Sequence, residues 1–173
     1  MLTTFEDAYS DCLAKAEEMF GKQITGVTIT GIIYHDKHRP LLAHTGKNTF
    51  TIVLPDYYKT HFNDGVFELA HEVVHCLSPT DNLPPTVLEE GLASFFSVEY
   101  MRDHGYTYSY TDPKYLQAYN LTKELLFYNA DIIKKIRGSS QSIISKILKD
   151  DLLNVNNSIP EELAIKLTQQ FIY

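Results

Sequence analysis

Within the 173 residues, the types and spacing best suited to chemistry are those of His71-Glu72-Val73-Val74-His75. Residues four apart stack on one helix face, so the two imidazoles reach a single cation, and Glu72 beside them is placed to handle a proton. That set is the active-site signature of a zinc hydrolase, in which one Zn2+ per chain would activate a water. The flanks fit a helix running through a core: Val66, Phe67, Leu69, Ala70, Val73, Val74 and Leu77 are apolar, and Asn63 and Asp64 offer an N-cap. A histidine or glutamate buried there is costly without a partner, and a shared cation partners all three. On a surface helix the same residues would merely be solvated, which the apolar flanks argue against.

A catalytic zinc takes three protein ligands and keeps one position for water, so a third ligand is required. Glu90 and Asp81 are the candidates. Glu90 lies in Leu88-Glu89-Glu90-Gly91-Leu92-Ala93-Ser94-Phe95-Phe96, an apolar helix able to pack on the first and aim a carboxylate at its histidines. Asp81 arises when residues 71–81 are laid on the HExxHxxGxxH/D layout of metzincins. That layout needs glycine where this chain has Ser78, and Pro79 biases Ser78 toward extended backbone. The downstream methionine it also needs, Met101, sits in a helical stretch rather than in a turn beneath the metal. The chemistry favours Glu90.

The segment Leu88 to Phe96 resembles the LNEG(F/L)ASYF segment of the gluzincin metallopeptidases, which include the thermolysin-like enzymes and the zinc aminopeptidases. The resemblance places His71 and His75 on the first two ligands, Glu72 on the general base and Glu90 on the ligand glutamate, with Glu89 where the family usually has Asn. It covers the pentad and the glutamate helix, about a fifth of the chain. The small single-domain members, the minigluzincins, are similar in size. Fourteen residues separate His75 from Glu90, fewer than in the larger relatives. The link from Ser78 to Pro85 spans up to about 26 Å when extended, which is enough, but the rim of the cleft must differ.

The resemblance implies a peptide or protein substrate and a Tyr or His that donates to the tetrahedral oxyanion. Of the twelve tyrosines, Tyr115 and Tyr119 on the next helix are the candidates for that catalytic role, with packing as their other possible role. By the same analogy the strand from Asn48 to Leu54, which alternates like a half-exposed edge, would line the cleft and pair with an extended peptide. Otherwise it is an ordinary strand of a small sheet.

The elements that must position these residues can be read from periodicity. Residues 3–20 form an amphipathic helix with Phe5, Ala8, Cys12, Ala16 and Phe20 on one side and Gly21 as its stop. Across 25–54 the pattern turns β-branched and short in period, at 27–33, 41–44 and 48–54, with turn chemistry at Asp36-Lys37 and Gly46-Lys47. From 61 to 173 it is helical: the pentad helix, a helix opened by Pro84-Pro85 and running to about Asp103, then stretches near 112–129, 139–151 and 160–171. The expected fold is α+β, a small and mostly antiparallel sheet followed by a helical bundle, in a single domain over 1–173.

A net charge of -7 argues against nucleic acid or anionic lipid as partner, since both need clustered Lys and Arg. The acidic start has no basic leader and no stretch reaches the length of a membrane span, so a cytoplasmic chain is expected, or one exported by a leaderless route. Cys12 and Cys76 form no CxxC and read as two buried, reduced thiols, with a single disulfide between them as the alternative. His35, His38, His44 and His61 read as solvated rather than as a second metal site. The leading function is a zinc peptidase. The alternatives are a catalytically silent zinc-folded module that binds a peptide, for which Glu72 has no use, and a latent precursor whose segment 154–173 lies across the cleft.

Overall fold

A computed structural model describes residues 3–36, 39–80, 83–138 and 142–173. Its first helix, α1 (Phe5–Phe20), starts where the Thr4 hydroxyl accepts from the Asp7 amide and ends at Gly21, whose φ of 91° a side chain would resist. Phe5, Ala8, Cys12, Ala16 and Phe20 are its buried stripe, as the spacing predicts.

Three strands follow, β1 (Thr28–His35), β2 (Leu41–Gly46) and β3 (Thr49–Pro55). The fold is α+β, but the sheet is mixed: its order is β1-β3-β2, with β3 parallel to β1 and antiparallel to β2. The expectation of an antiparallel sheet is therefore met at one of two pairings. The turn at Asn48, with φ 55°, joins β2 to β3, whereas β1 pairs past its neighbour in sequence. The expectation of a half-exposed edge at Asn48 to Leu54 is overturned, because β3 is the central strand and is buried from Phe50 onward. Its polar alternation misleads because Thr51 is satisfied within the sheet, by the hydroxyls of Thr30 and Thr45.

Helix α2 (Phe62–Cys76) carries the pentad and packs between α1 and α3 (Val87–Asp103). It begins one residue before Asn63 and is entered from His61, so Asn63 and Asp64 do not cap it. Gly65 lets it approach α1, since a Cβ there would lie 2.6 Å from the Phe5 ring. Helix α3 is entered at Thr86, whose hydroxyl accepts from the Glu89 amide, just after Pro84-Pro85. It is buried nearly all round, so a lone amphipathic stripe is absent. Helix α4 (Pro113–Tyr128) rides on α3 at Gly91, where a Cβ would run into Thr122 and the Ala118 carbonyl.

Three short helices complete the chain: α5 (Ile132–Arg137), α6 (Lys149–Val155) and α7 (Glu161–Leu167). The stretch expected near 139–151 is a 3-10 turn at Ile144–Lys146 followed by α6, and α5 has no counterpart in the sequence reading. Arg137 on α5 is 1% exposed and donates to the carbonyl oxygens of Phe20, Gly21, Lys22, Leu77 and Ser142. It thereby closes the C-terminal ends of α1 and α2 together, where helices leave carbonyls unpaired. Cys12 and Cys76 are buried and unbridged. Among the described residues no helix is long and apolar enough to cross a membrane.

Candidate metal centre

One face of α2 carries His71 and His75, and the first turn of α3 carries Glu89 and Glu90 against it. Their atoms converge: His71 Nε2 lies 3.4 Å from His75 Nε2 and 3.2 Å from Glu90 Oε2, and His75 Nε2 lies 3.7 Å from Glu90 Oε1. Asp81, the other candidate for the third ligand, lies outside the described residues, as does His38.

The hydrogen bonds behind the imidazoles fix which nitrogens face the gap. His75 Nδ1 donates to Glu89 Oε1 (2.9 Å), and Ser145 holds the other oxygen of that carboxylate. His71 Nδ1 lies 2.9 Å from the Tyr110 hydroxyl, which lies 2.9 Å from Ser97 Oγ, which in turn donates to the Ser94 carbonyl. A carbonyl only accepts, so the protons run outward along this chain, from His71 through Tyr110 and Ser97. Both Nε2 atoms then present lone pairs to each other and to a carboxylate. Glu90 Oε2, within ion-pair distance of His71 but out of hydrogen-bond alignment, is a buried atom with no hydrogen bond. Such an arrangement is repulsive unless a cation sits within it, and His71, His75 and Glu90 form a buried group that can hold a metal ion.

A proton can take the same place. Burial disfavours charge on His75, but the Glu90 carboxylate and the Glu89 hydrogen bond outweigh burial and push its pKa up to about 10. Burial likewise opposes the charge on Glu90, yet the His75 charge and the His71 contact bring its pKa down to about 2. Glu72 goes the other way: burial pushes its carboxyl up, against the pull of His75 and His71. Two glutamates within one cleft thus divide into a committed anion and a carboxylate that readily takes a proton.

Two cavities, of about 440 and 480 Å3, both border His71 and Glu72 and also share Arg39, Pro40, Tyr115 and Tyr173. The first is walled by β2, from Leu41 to His44, so the edge strand facing the site is β2 rather than β3. Tyr115 stands where both cavities meet, its ring 5.8 Å from that of His71. Burial and the nearby Glu90 and Glu72 carboxylates raise its pKa, which keeps the phenol a donor. Tyr119, one turn further along α4, stacks on Phe95 at 6.0 Å and lines neither cavity. Of the other histidines, His35 pairs with Asp36 and His61 stacks on Tyr57, both away from the centre, while His44 faces the first cavity from β2.

Sequence reasoning missed Tyr110, and it reached Tyr173 only as the end of a segment that could lie across the cleft. Tyr110 comes from the loop between α3 and α4, where no period marks which tyrosine turns inward. Tyr173 reaches the site because Gln169 and Phe171 bond along residues 85–87: Val87 N donates to the Gln169 carbonyl (2.8 Å) and Phe171 N to that of Pro85 (2.9 Å). The Tyr173 hydroxyl then donates to Glu90 Oε1 at 2.8 Å. The adjacency of Glu89 to Glu90 was visible, but its role behind His75 was not. Compared with protein-family models, with curated proteins and with solved structures, the chain finds no match.

Proposed function

We propose that this chain is a zinc-dependent peptidase of the gluzincin type. The observation that carries the reading is the convergence of two imidazole lone pairs and an orphaned carboxylate oxygen beside the readily protonated Glu72. His71, His75 and Glu90 would hold the zinc, which when bound supplies a water of lowered pKa and polarises the scissile carbonyl. Glu72 takes a proton from the water as its oxygen bonds to the carbonyl carbon, and delivers that proton to the nitrogen as the C–N bond breaks. Tyr115 offers its O–H to the developing oxyanion. The free edge of β2 aligns an extended peptide along the first cavity by main-chain pairing. Glu89 and Tyr110 hold the two imidazoles in the lone-pair-inward tautomer.

Metal content and cleavage of a mixed peptide pool test the reading together. About one zinc per chain is expected, lost in Glu90→Ala, with peptide cleavage lost in Glu72→Gln while zinc stays. A wild-type chain that takes up no zinc, or a Glu72→Gln chain that still cleaves, sinks it.

A second reading, that the chain is latent, is favoured by Tyr173, which lines both cavities and hydrogen-bonds an oxygen of Glu90. On that reading Tyr173→Gly raises cleavage. A larger truncation is a poor test, because α7 contributes Leu163, Ala164 and Leu167 to the core.

A further inference from the structure

We infer that Glu68 makes the cleft select a cationic group of the peptide, either a Lys or Arg side chain or a free amino terminus; the inference rests on the peptidase reading and names its substrate class. Glu68 lies one helical turn before Glu72 on α2, so the two carboxylates share a face, and Glu68 borders the second cavity, of about 480 Å3. Among the described residues no side chain is recorded in a hydrogen bond or ion pair with it. The neighbouring acids are engaged: Asp64 accepts from the Tyr108 hydroxyl at 2.6 Å, and Asp112 caps α4 by accepting from the Lys114 amide at 2.8 Å. The cations that border this cavity, Arg39 and Lys114, are exposed at its rim, whereas Glu68 is partly buried beside fully buried Glu72.

The walls suit the same ligand. Tyr58, Phe67, Tyr110 and Tyr115 line the same cavity as Glu68. Aromatic walls pack the apolar stem of a Lys or Arg and attract its charged head, while a carboxylate withdrawn from water gains most from a cation that arrives desolvated. A neutral aliphatic side chain would leave Glu68 without a partner in a cavity it had just dried, which costs binding. Specificity of this kind comes as much from rejecting the wrong residue as from holding the right one.

The test is peptide binding to the zinc-loaded full chain, with turnover stopped by Glu72→Gln, read by fluorescence anisotropy. The labelled peptides are identical except for one Lys, Arg, Leu or Glu placed at each position in turn, with the amino terminus free or acetylated. Cationic peptides are expected to bind about tenfold more tightly than the acetylated Leu peptide. Adding Glu68→Gln should bring them to the Leu level while the acetylated Leu peptide stays within about twofold, and Glu68→Lys should turn the preference toward Glu. A preference that survives acetylation assigns the cation to a side chain, and one abolished by acetylation assigns it to the amino terminus; both support the inference. Glu162→Gln, an equal charge change at an exposed site on α7, should leave the preference intact. Selectivity unchanged in Glu68→Gln, or absent among peptides that bind, overturns the inference and leaves the peptidase reading standing. Failure of every peptide to bind overturns both.

Discussion

At the end of α2 the Arg137 guanidinium meets carbonyl oxygens of five residues, while on the flank of the same helix His71, His75 and Glu90 bring lone pairs and a carboxylate together. Both clusters are buried and polar. In the first, the chain supplies its own cation, and the planar donors of arginine meet the unpaired carbonyls at the ends of two helices. In the second, no lysine or arginine among the described residues pairs with Glu89 or Glu90, and one carboxylate oxygen is left without a hydrogen bond. The difference teaches how to tell a structural polar knot from a site: the knot is closed, and the site lacks one charge of a definite sign.

Breaking the closed knot should have the largest effect. Arg137→Ala leaves several buried carbonyls unmet and is expected to lower stability by about 3–5 kcal/mol in urea unfolding, with zinc uptake retained by whatever remains folded. A loss under about 1 kcal/mol would mean that water replaces the guanidinium and that the knot is not closed. Supplying the missing charge should do the reverse at the other cluster. Zinc at about a hundredfold over its dissociation constant should stabilise the wild type by about 2.7 kcal/mol and leave Glu90→Ala unmoved. Equal stabilisation of both chains would place the metal elsewhere.

Smaller effects sharpen the contrast. Glu89→Ala removes the carboxylate behind His75 and should weaken zinc binding by about 10- to 100-fold without abolishing it, as isothermal titration would show. In the zinc-free chain His75, raised to about 10 from an unfolded value near 6.5, adds stability that is full below 6.5 and lost as pH rises toward 10. Glu90, lowered to about 2 from 4.5, adds stability that is full above 4.5 and lost as pH falls toward 2. The contribution of this pair should therefore peak between 4.5 and 6.5, and Glu90→Gln should flatten the curve on both sides. A profile identical in wild type and Glu90→Gln would deny the coupling. Smallest of all, burial pushes the Cys12 thiol up to about 12, so a thiol reagent should label neither cysteine until urea unfolds the chain.

The site was more legible in the sequence than its supports were. His71, Glu72 and His75 announce themselves because a local period fixes their shared face, and Glu90 follows from a second apolar helix that must pack on the first. Partners that arrive from far along the chain leave no period. Arg137 lies in a stretch to which the sequence reading assigns no element, and only the meeting of two helix ends in space explains its burial. Tyr110 and Tyr173 come from a loop and a tail, and Tyr119, which has the better sequence setting, faces Phe95 instead. The place of β3 within the sheet was misjudged because threonine hydroxyls bonded to one another look, in sequence, like the wet face of an edge strand.

Gly91 directly follows Glu90 of the candidate metal group, and the missing Cβ is what allows α4 to lie on α3. The same contact fixes how α4, which carries Tyr115, sits against the helix that carries Glu90, so this residue acts as the gauge between the candidate metal group and the phenol proposed to meet the substrate oxygen. A methyl group there would run into Thr122 and the Ala118 carbonyl of α4 and so push Tyr115 and Glu90 out of register with each other.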